Sequence, residues 1–329
     1  MINPYDNINW SNVLYVPSIS HGHCRAQSRF YRIVGGGIKH IPLSNYHPSE
    51  PTYPLSDYFT VPDGVIGSPN AEFYNMGIAG FHANGIGCIG YSEPEPNTRI
   101  DWKIKLKSVL DGMQYDDAGG ISLNHPCWTK SLGELTNKIL MDMLDWDERV
   151  LGIEFYNASA ERYIDPDTQE PQHKGWDLDT WDEILSTGRR CWGFCAEDHD
   201  ADVETEGYVW EGRNILLVNE FTEYECLKAY REGRFYGALR NTDLTFESIS
   251  YSNGVLSVVT SNADYIDFVV NGSYNRVNGI SAIYNVPSNA VYVRVEASNS
   301  ENTIYSQAIT LKQYKNNDNT AKKMLILGL

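Results

Sequence analysis

The chain has 329 residues, 42% of them hydrophobic and 12% aromatic, which is ordinary for a globular protein and excludes disordered and fibrous classes. No window approaches the roughly 20 apolar residues of a membrane helix, and the start Met-Ile-Asn-Pro-Tyr-Asp shows no signal-peptide pattern, so we expect a cytoplasmic protein. The formal charge of −17 disfavours nucleic-acid binding, because Lys and Arg contacts to phosphate supply most of that affinity.

Residues 1–240 alternate between short apolar runs typical of strands and helical patterns. The predicted strands are Asn12–Ile19, Ile38–Leu43, Ile86–Tyr91, Gly120–Leu123, Val150–Tyr156 and Cys191–Ala196. Capping boxes at Ser131 and Thr222 predict the starts of two helices, Gly233 predicts the end of the second, and Asp179 predicts the cap of a shorter one. Strand and helix in alternation predict a parallel sheet or a barrel.

The stretch 41–72 interrupts this alternation with six prolines, and we interpret it as a rim or lid over the site. After residue 241 only short alternating runs remain, divided by turns such as Ser-Asn-Gly and Asn-Gly-Ser. This sequence pattern predicts a small antiparallel sandwich over 241–315, followed by a polar and then apolar tail over 316–329.

The eight histidines fall mostly at the ends of predicted strands. His21 and His23 follow the first run, His47 the second, and the runs at 120–123 and 191–196 are followed by His125 and His199. Glu72 and His82 bracket a turn before another run, and Glu154 lies within its own strand. In a βα barrel such strand ends meet at one face, and imidazole with carboxylate suits zinc, manganese or iron.

Each of these features is weak alone. A His-x-His is common by chance, a lone His-Pro is as often a turn as a ligand, and an isolated buried Glu is usually a salt-bridge partner. Six cysteines without a C-x-x-C pair indicate reduced thiols rather than a zinc knuckle. Residues 142–206 hold 19 Asp and Glu against 5 Lys and Arg, and most of that excess is typical of a solvated surface. The recurrence of ligand types at strand ends is the stronger signal.

The motif order resembles the PHP (polymerase and histidinol phosphatase) superfamily, and within it the CehA/McbA-like metal-dependent phosphoesterases. The motifs that carry the resemblance are HGHC (21–24), NAEF (70–73), HANGIG (82–87), NHPCW (124–128), IEFYN (153–157) and CAEDHD (195–200). The resemblance implies a distorted (β/α) TIM-like barrel of the PHP type over 1–240, with an immunoglobulin-like β-sandwich after it.

The resemblance also implies roles for individual residues. His21 and His23 would hold a first metal, Glu72 would bridge two metals, and His125 would bind the second. His82 would be a ligand or a phosphate contact, and Glu154 a ligand or proton carrier. The last motif offers Glu197, Asp198 and His199 as ligands. Glu154 or His199 would protonate the leaving oxygen, and Arg25 or Arg29 would grip a phosphoryl oxygen.

Three departures bear on a third metal. The family's Thr-Asp-His motif is Ser-Asn-Tyr-His (44–47) here, so His47 would be its metal ligand but the Asp is missing, and the Asp-Gly that follows the first His pair is missing as well. The usual Asp-x-His motif has only Glu197-x-His199, or Asp198-x-Asp200, as its counterpart.

The resulting prediction is a phosphoesterase with two or three divalent ions (zinc, manganese or iron) that share a hydroxide and cleave a small-molecule phosphomonoester or phosphodiester. Two alternatives stay open: an amidohydrolase-like enzyme that cleaves an amide or cyclic ester, and a non-catalytic metal-binding module. Association with a second copy of the chain also stays open, and no membrane partner is expected.

Overall fold

The computed structural model describes residues 1–46, 52–74, 76–90, 101–165, 167–199, 211–240 and 243–314. Within them the strands are β1 (Leu14–Ser18), β2 (Glu72–Phe73), β3 (Ala83–Ile86), β4 (Gly120–Leu123), β5 (Val150–Asn157), β6 (Trp192–Ala196), β7 (Gly212–Val218), β8 (Phe235–Leu239), β9 (Phe246–Ser252), β10 (Val255–Thr260), β11 (Tyr265–Val270), β12 (Ser273–Asn278), β13 (Ser281–Asn285), β14 (Tyr292–Ser298), β15 (Thr303–Ser306) and β16 (Ile309–Thr310). The helices are α1 (Gln27–Gly35), α2 (Trp102–Asp111), α3 (Pro126–Lys130), α4 (Asn137–Trp146), α5 (Ala158–Arg162), α6 (Leu178–Ser186) and α7 (Glu223–Glu232), with a 3₁₀ turn at Leu55–Asp57.

A five-stranded sheet in the order β2-β3-β4-β5-β6 forms the core of the first half. The pairs β4–β5 and β5–β6 are parallel, whereas β2–β3 and β3–β4 are antiparallel. Every residue of β4, β5 and β6 is buried, as expected for parallel strands covered on both faces. Helix α6 covers β5, where Trp181 stacks on Phe155 with ring centroids 5.1 Å apart.

The mixed α/β architecture is confirmed, but the described strands form open sheets rather than one closed barrel. The predicted strand Ile38–Leu43 is wrong: this segment has two isolated bridges at His40, one to Ser18 and one to Ile66. Single bridges also join Tyr46 to Glu72 and Gly22 to Asp198. Isolated bridges thus stand where a closed barrel would need continuous ladders.

Local capping signals predicted one helix correctly and misplaced the starts of two others, one of them α6, whose N-cap is Asp177 and not the predicted Asp179. Thr222 caps α7 by accepting a hydrogen bond from the Glu225 N–H, and Gly233 ends it in the left-handed region (φ 73°). The predicted start at Ser131 is wrong, because Ser131 ends the short helix α3 and Thr136 caps α4 instead. The Glu134 carboxylate, which would have completed a capping box, accepts from the Ala79 N–H.

The predicted antiparallel region after residue 241 contains strands and no helix within its described part. Strands β13-β10-β9 make a three-stranded sheet, and an eight-stranded antiparallel sheet runs β1-β7-β8-β15-β14-β11-β12, with β16 beside β14. The sequence pattern missed β12, whose residues are largely exposed and polar. The larger sheet crosses the expected boundary near residue 240, because β8 pairs with β15. The division into two domains therefore stays a prediction.

Buried contacts connect the C-terminal strands to the five-stranded sheet and to helix α6, which covers it. The Gln307 amide accepts from the Gly193 N–H (2.7 Å) and donates to the Gly193 carbonyl (2.8 Å), so it completes the hydrogen bonding of β6. The fully buried Arg294 forms a two-pronged ion pair with Asp182 of α6, with both N–O distances 2.8 Å. In the described part of the chain, no helix has the length and apolar character that crossing a bilayer requires.

His40 is a fully buried histidine outside the candidate site. Its Nδ1 lies 2.7 Å from the Ser18 hydroxyl and its Nε2 2.7 Å from the Ser68 hydroxyl, and burial lowers its pKa to about 3. The unfolded chain therefore takes up a proton near pH 6.5 that the folded chain does not. As a result, the folded state loses stability as the pH falls below 6.5.

We expect this histidine to contribute a loss of about 1.4 kcal/mol per pH unit between pH 6.5 and about 3. His40→Gln removes the titrating group, so the stability gap between parent and variant should be about 1.4 kcal/mol smaller at pH 5.5 than at pH 7.5. Urea unfolding of both proteins, with a metal chelator present, measures this difference in unfolding free energy. His173→Gln, at an exposed histidine, is the control; a gap that does not change with pH would contradict the buried neutral state.

Candidate metal centre

Two groups of potential metal ligands meet in the interior and share one carboxylate. The first contains His21, His23, Glu72 and Asp198, and the second contains Glu72, His82 and His125; within each group the ligand atoms lie within 4.8 Å of one another. All are buried except His82, which is partly exposed. This buried set of imidazoles and carboxylates could hold metal.

Glu72 contacts imidazoles of both groups, and its Oε1 reaches both by itself, since it also lies 3.4 Å from His21 Nε2 of the first group. Its Oε2 lies 3.0 Å from His23 Nε2, whereas its Oε1 lies 2.8 Å from His82 Nδ1 and 3.5 Å from His125 Nε2. The side chain is fully buried in β2, and the Asn124 amide donates to Oε1 (3.2 Å). A carboxylate placed between two imidazole sets in this way can bridge two cations.

The segment after β1 is fixed by hydrogen bonds from two directions. The Gly22 N–H donates to the Ser44 hydroxyl, and the Asn45 side chain bonds both the N–H and the carbonyl of Cys24. On the other side, the His23 N–H donates to the Asp198 carbonyl. The His-x-His turn is thereby held in one conformation before any metal binds, which lowers the entropy cost of binding.

Two ligand residues have backbones in the left-handed region. His125 has φ 28° directly before a proline, and Asp198 has φ 65° at the end of β6. Such conformations cost on the order of 1–3 kcal/mol for non-glycine residues and concentrate at functional sites. The strain is offset at His125, whose N–H donates to Glu154 Oε2 (2.8 Å).

The histidines and carboxylates shift each other's pKa values in opposite directions. Burial disfavours the charged forms, but Asp198, Glu72 and Glu154 outweigh it and raise the pKa of His21 well above its usual value. Burial likewise opposes charge on Glu72, and His21 outweighs it, so the Glu72 pKa lies well below its usual value. Asp198 is shifted in the same direction for the same reason. A divalent ion would supply the positive charge that protons supply here, and its binding would release those protons.

The predicted ligand Glu154 lies outside both groups, behind His21. Its Oε1 is 2.8 Å from His21 Nδ1, and its Oε2 accepts from the Asn157 amide (2.9 Å) as well as from the His125 N–H. A register shift between Glu154 and Tyr156 lets residues 154 and 157 reach the same side of the strand. A carboxylate that holds the far nitrogen of a ligating imidazole orients that imidazole.

Glu154→Gln should weaken metal binding roughly 10- to 100-fold without abolishing it, because it removes the charge that orients His21. A Gln amide also cannot accept from all three donors that surround the carboxylate. Competition with a chromogenic chelator measures the affinity. Glu197→Gln is the control, and an equal loss of affinity in both variants would contradict the orienting role.

Glu197, another predicted ligand, faces away from both groups. Its Oε2 accepts from the N–H groups of Glu211 and Gly212, and its Oε1 lies 3.2 Å from Arg162. The carboxylate therefore fixes the start of β7. Of the Glu-Asp-His run, the structure brings Asp198 alone into a ligand group.

His199 lies beside the first group but belongs to neither. Its ring stacks on His23, with centroids 4.0 Å apart and planes 6° apart, and its Nε2 lies 2.8 Å from the Tyr46 hydroxyl. Burial lowers its pKa. Tyr46 had no predicted role, although it occupies the position where the resemblance showed its clearest departure.

A cavity of about 190 Å³ opens onto the ligands. Its walls are lined by Tyr46, Glu72, His82, His125, Trp128, Ser159, Ala160, Tyr163, Asp198 and His199. Arg25 is exposed and is not among these lining residues. His47 and Asp200 lie outside the described residues. Sequence reasoning missed Asn124, Asn157 and Trp128, although each stands inside a quoted motif.

The donor atoms fit a divalent metal. Asp198 Oδ1 is buried and makes no hydrogen bond among the described residues, yet it lies 3.1 Å from His21 Nε2 and 3.3 Å from His23 Nε2. An unsatisfied buried oxygen is costly unless a cation or water completes it. Nitrogen and oxygen donors of this kind suit zinc, manganese or iron.

Comparisons with known proteins add a weak similarity. No family model matches the chain, and no curated protein matches it. One similar solved structure is a two-domain protein from Bacteroides vulgatus ATCC 8482 that contains a predicted PHP-like metal-dependent phosphoesterase. It is 13% identical, with a TM-score of 0.44, over 95% of this chain and 90% of that chain.

Proposed function

We propose that the chain is a metal-dependent phosphoric ester hydrolase of the PHP type that acts on a small-molecule substrate. The observation that carries the proposal is the sharing of Glu72 by two ligand groups at the base of one cavity. A single structural metal would need only one closed group of four ligands. Two groups joined by a carboxylate instead suit a pair of ions that act together.

Two divalent ions, when bound, would supply a nucleophile at neutral pH and positive charge for the phosphoryl oxygens. His21, His23 and Asp198 would hold the first, His82 and His125 the second, and Glu72 both. The Glu154 carboxylate accepts from Nδ1–H of His21. It would therefore hold the ring proton on Nδ1 and leave the Nε2 lone pair free for a metal. Asn124 would fix the Glu72 carboxylate.

The walls of the cavity would bind the substrate and supply the proton. Both Glu154 oxygens are engaged, and the residue does not line the cavity, whereas His199 lines it and is partly exposed. Of the two residues suggested for protonation of the leaving oxygen, we therefore assign the role to His199 rather than to Glu154; because burial lowers the pKa of His199, the neutral imidazole would first have to take up a proton. The Trp128 ring lies against the rings of His82 and His125 and offers an apolar surface to the group that the phosphate carries.

The test combines metal analysis with a substrate panel. Protein purified gently and loaded with manganese or zinc should contain about two or more ions per chain. It should then hydrolyse chromogenic phosphomonoesters or phosphodiesters, and chelation should abolish the rate. Metal with amide or cyclic-ester cleavage and no phosphoesterase activity would favour the amidohydrolase alternative. Metal without any turnover would favour a binding module, and absence of metal after loading would refute the proposal.

A further inference from the structure

His199 lies close to the first ligand group, but its Nε2 is hydrogen-bonded to a residue outside that group. Its ring lies parallel to His23 at 4.0 Å, and its Nε2 is 3.8 Å from Asp198 Oδ1, a ligand atom of that group. Nevertheless the same Nε2 is 2.8 Å from the Tyr46 hydroxyl. If Nε2 were free, a small rotation of the ring would bring it to a position where it could bind the first metal.

The hydrogen bond with Tyr46 blocks coordination whichever partner donates. If the phenol donates, it uses the Nε2 lone pair; if Nε2 donates, that nitrogen carries a proton and has no lone pair to offer. The phenol keeps its proton at neutral pH, because the ordinary pKa of a tyrosine is about 10. The bond is anchored, because Tyr46 is bridged to Glu72 through the backbone.

The first group already contains four protein ligands without His199. Adding a fifth would close the ion toward the cavity, whereas catalytic sites keep a coordination position open for water or substrate. We propose that Tyr46 is a positioning residue that withholds His199 from the first metal position and so keeps that position open to the cavity. This inference rests on the metal centre of the proposed function.

Tyr46→Phe tests the inference because it removes only the hydroxyl. The freed imidazole should join the first group, so zinc should bind on the order of tenfold more tightly. In cobalt-substituted protein, the paramagnetically shifted ring N–H signals should increase by one. Both changes should disappear in the double variant with His199→Gln. Tyr163→Phe, at another tyrosine of the cavity wall, should leave affinity and signals at parental values.

The outcomes separate the inference from the proposed function. If the parent binds no metal, the centre itself is refuted, and the inference with it. If the parent binds metal but Tyr46→Phe shows parental affinity and an unchanged number of ring signals, only the inference is overturned. It is also overturned if His199→Gln alone removes a ring signal from the parent, since His199 would then already be a ligand.

Discussion

Glu72→Gln is expected to remove at least one bound ion and to lower phosphoesterase turnover on the order of a thousandfold or more, or about 4 kcal/mol of transition-state stabilisation. The variant keeps the shape of the side chain but loses the negative charge that both ligand groups share. A Gln amide nitrogen cannot coordinate, so a single oxygen would have to replace both the Oε2 beside His23 and the Oε1 beside His82 and His125. Metal stoichiometry and turnover, measured beside the parent, check the expectation.

The control for this experiment is Glu161→Gln, which also removes a carboxylate paired with a histidine. Glu161 Oε1 lies 2.9 Å from Nδ1 of the exposed His173, outside both ligand groups. We expect it to keep parental metal content and turnover. The simplest interpretation of Glu72 from sequence, a surface residue among prolines, predicts a silent substitution. The structure excludes that interpretation, because Glu72 is fully buried in β2. Full metal content and full rate in Glu72→Gln would refute the bridging role.

Asp182→Asn is expected to lower the free energy of unfolding by about 3 kcal/mol, because it leaves Arg294 without its two-pronged partner. The Arg294 side chain has no exposed surface, and Asp182 also accepts from the Tyr292 hydroxyl (2.7 Å). In the variant, Glu296 still contacts the Arg294 guanidinium. We therefore expect a loss of unfolding free energy at the lower end of the range of about 3–5 kcal/mol for a broken buried ion pair. Urea unfolding followed by circular dichroism measures the change.

Asp142→Asn provides the matched comparison on the neighbouring helix α4. Its partner Lys138 is 82% exposed, and such surface pairs contribute about 0.5 kcal/mol or less. The triple variant Asp182→Leu, Arg294→Met and Glu296→Gln should recover part of the lost stability, since no member of this cluster is then left as an unmatched buried charge. Equal effects of Asp182→Asn and Asp142→Asn would show that the C-terminal strands do not depend on this ion pair.

The strands that carry the centre were predictable because their signals are local. Continuous apolar runs fit β4, β5 and β6, and ligand types just beyond their ends indicated where a site could form. The cap at Thr222 and the glycine at 233 predicted α7 from two positions alone. The domain boundary near residue 240 was less predictable, because the β8–β15 pairing joins segments about 65 residues apart, and no local pattern encodes such a partner.

By itself the sequence determined the kinds of donor atoms and their order along the chain, since these depend on composition and on periodic patterns. Only the tertiary structure decided which donors face each other. Asp198 joins the first group while Glu197 turns toward β7, because a left-handed backbone at Asp198 redirects the chain at that point. Tyr46 reaches His199 across 153 positions of sequence. Side-chain direction at a strand end depends on the backbone angles and on partners that are distant in sequence. A periodic pattern of residue types contains no information on either of these.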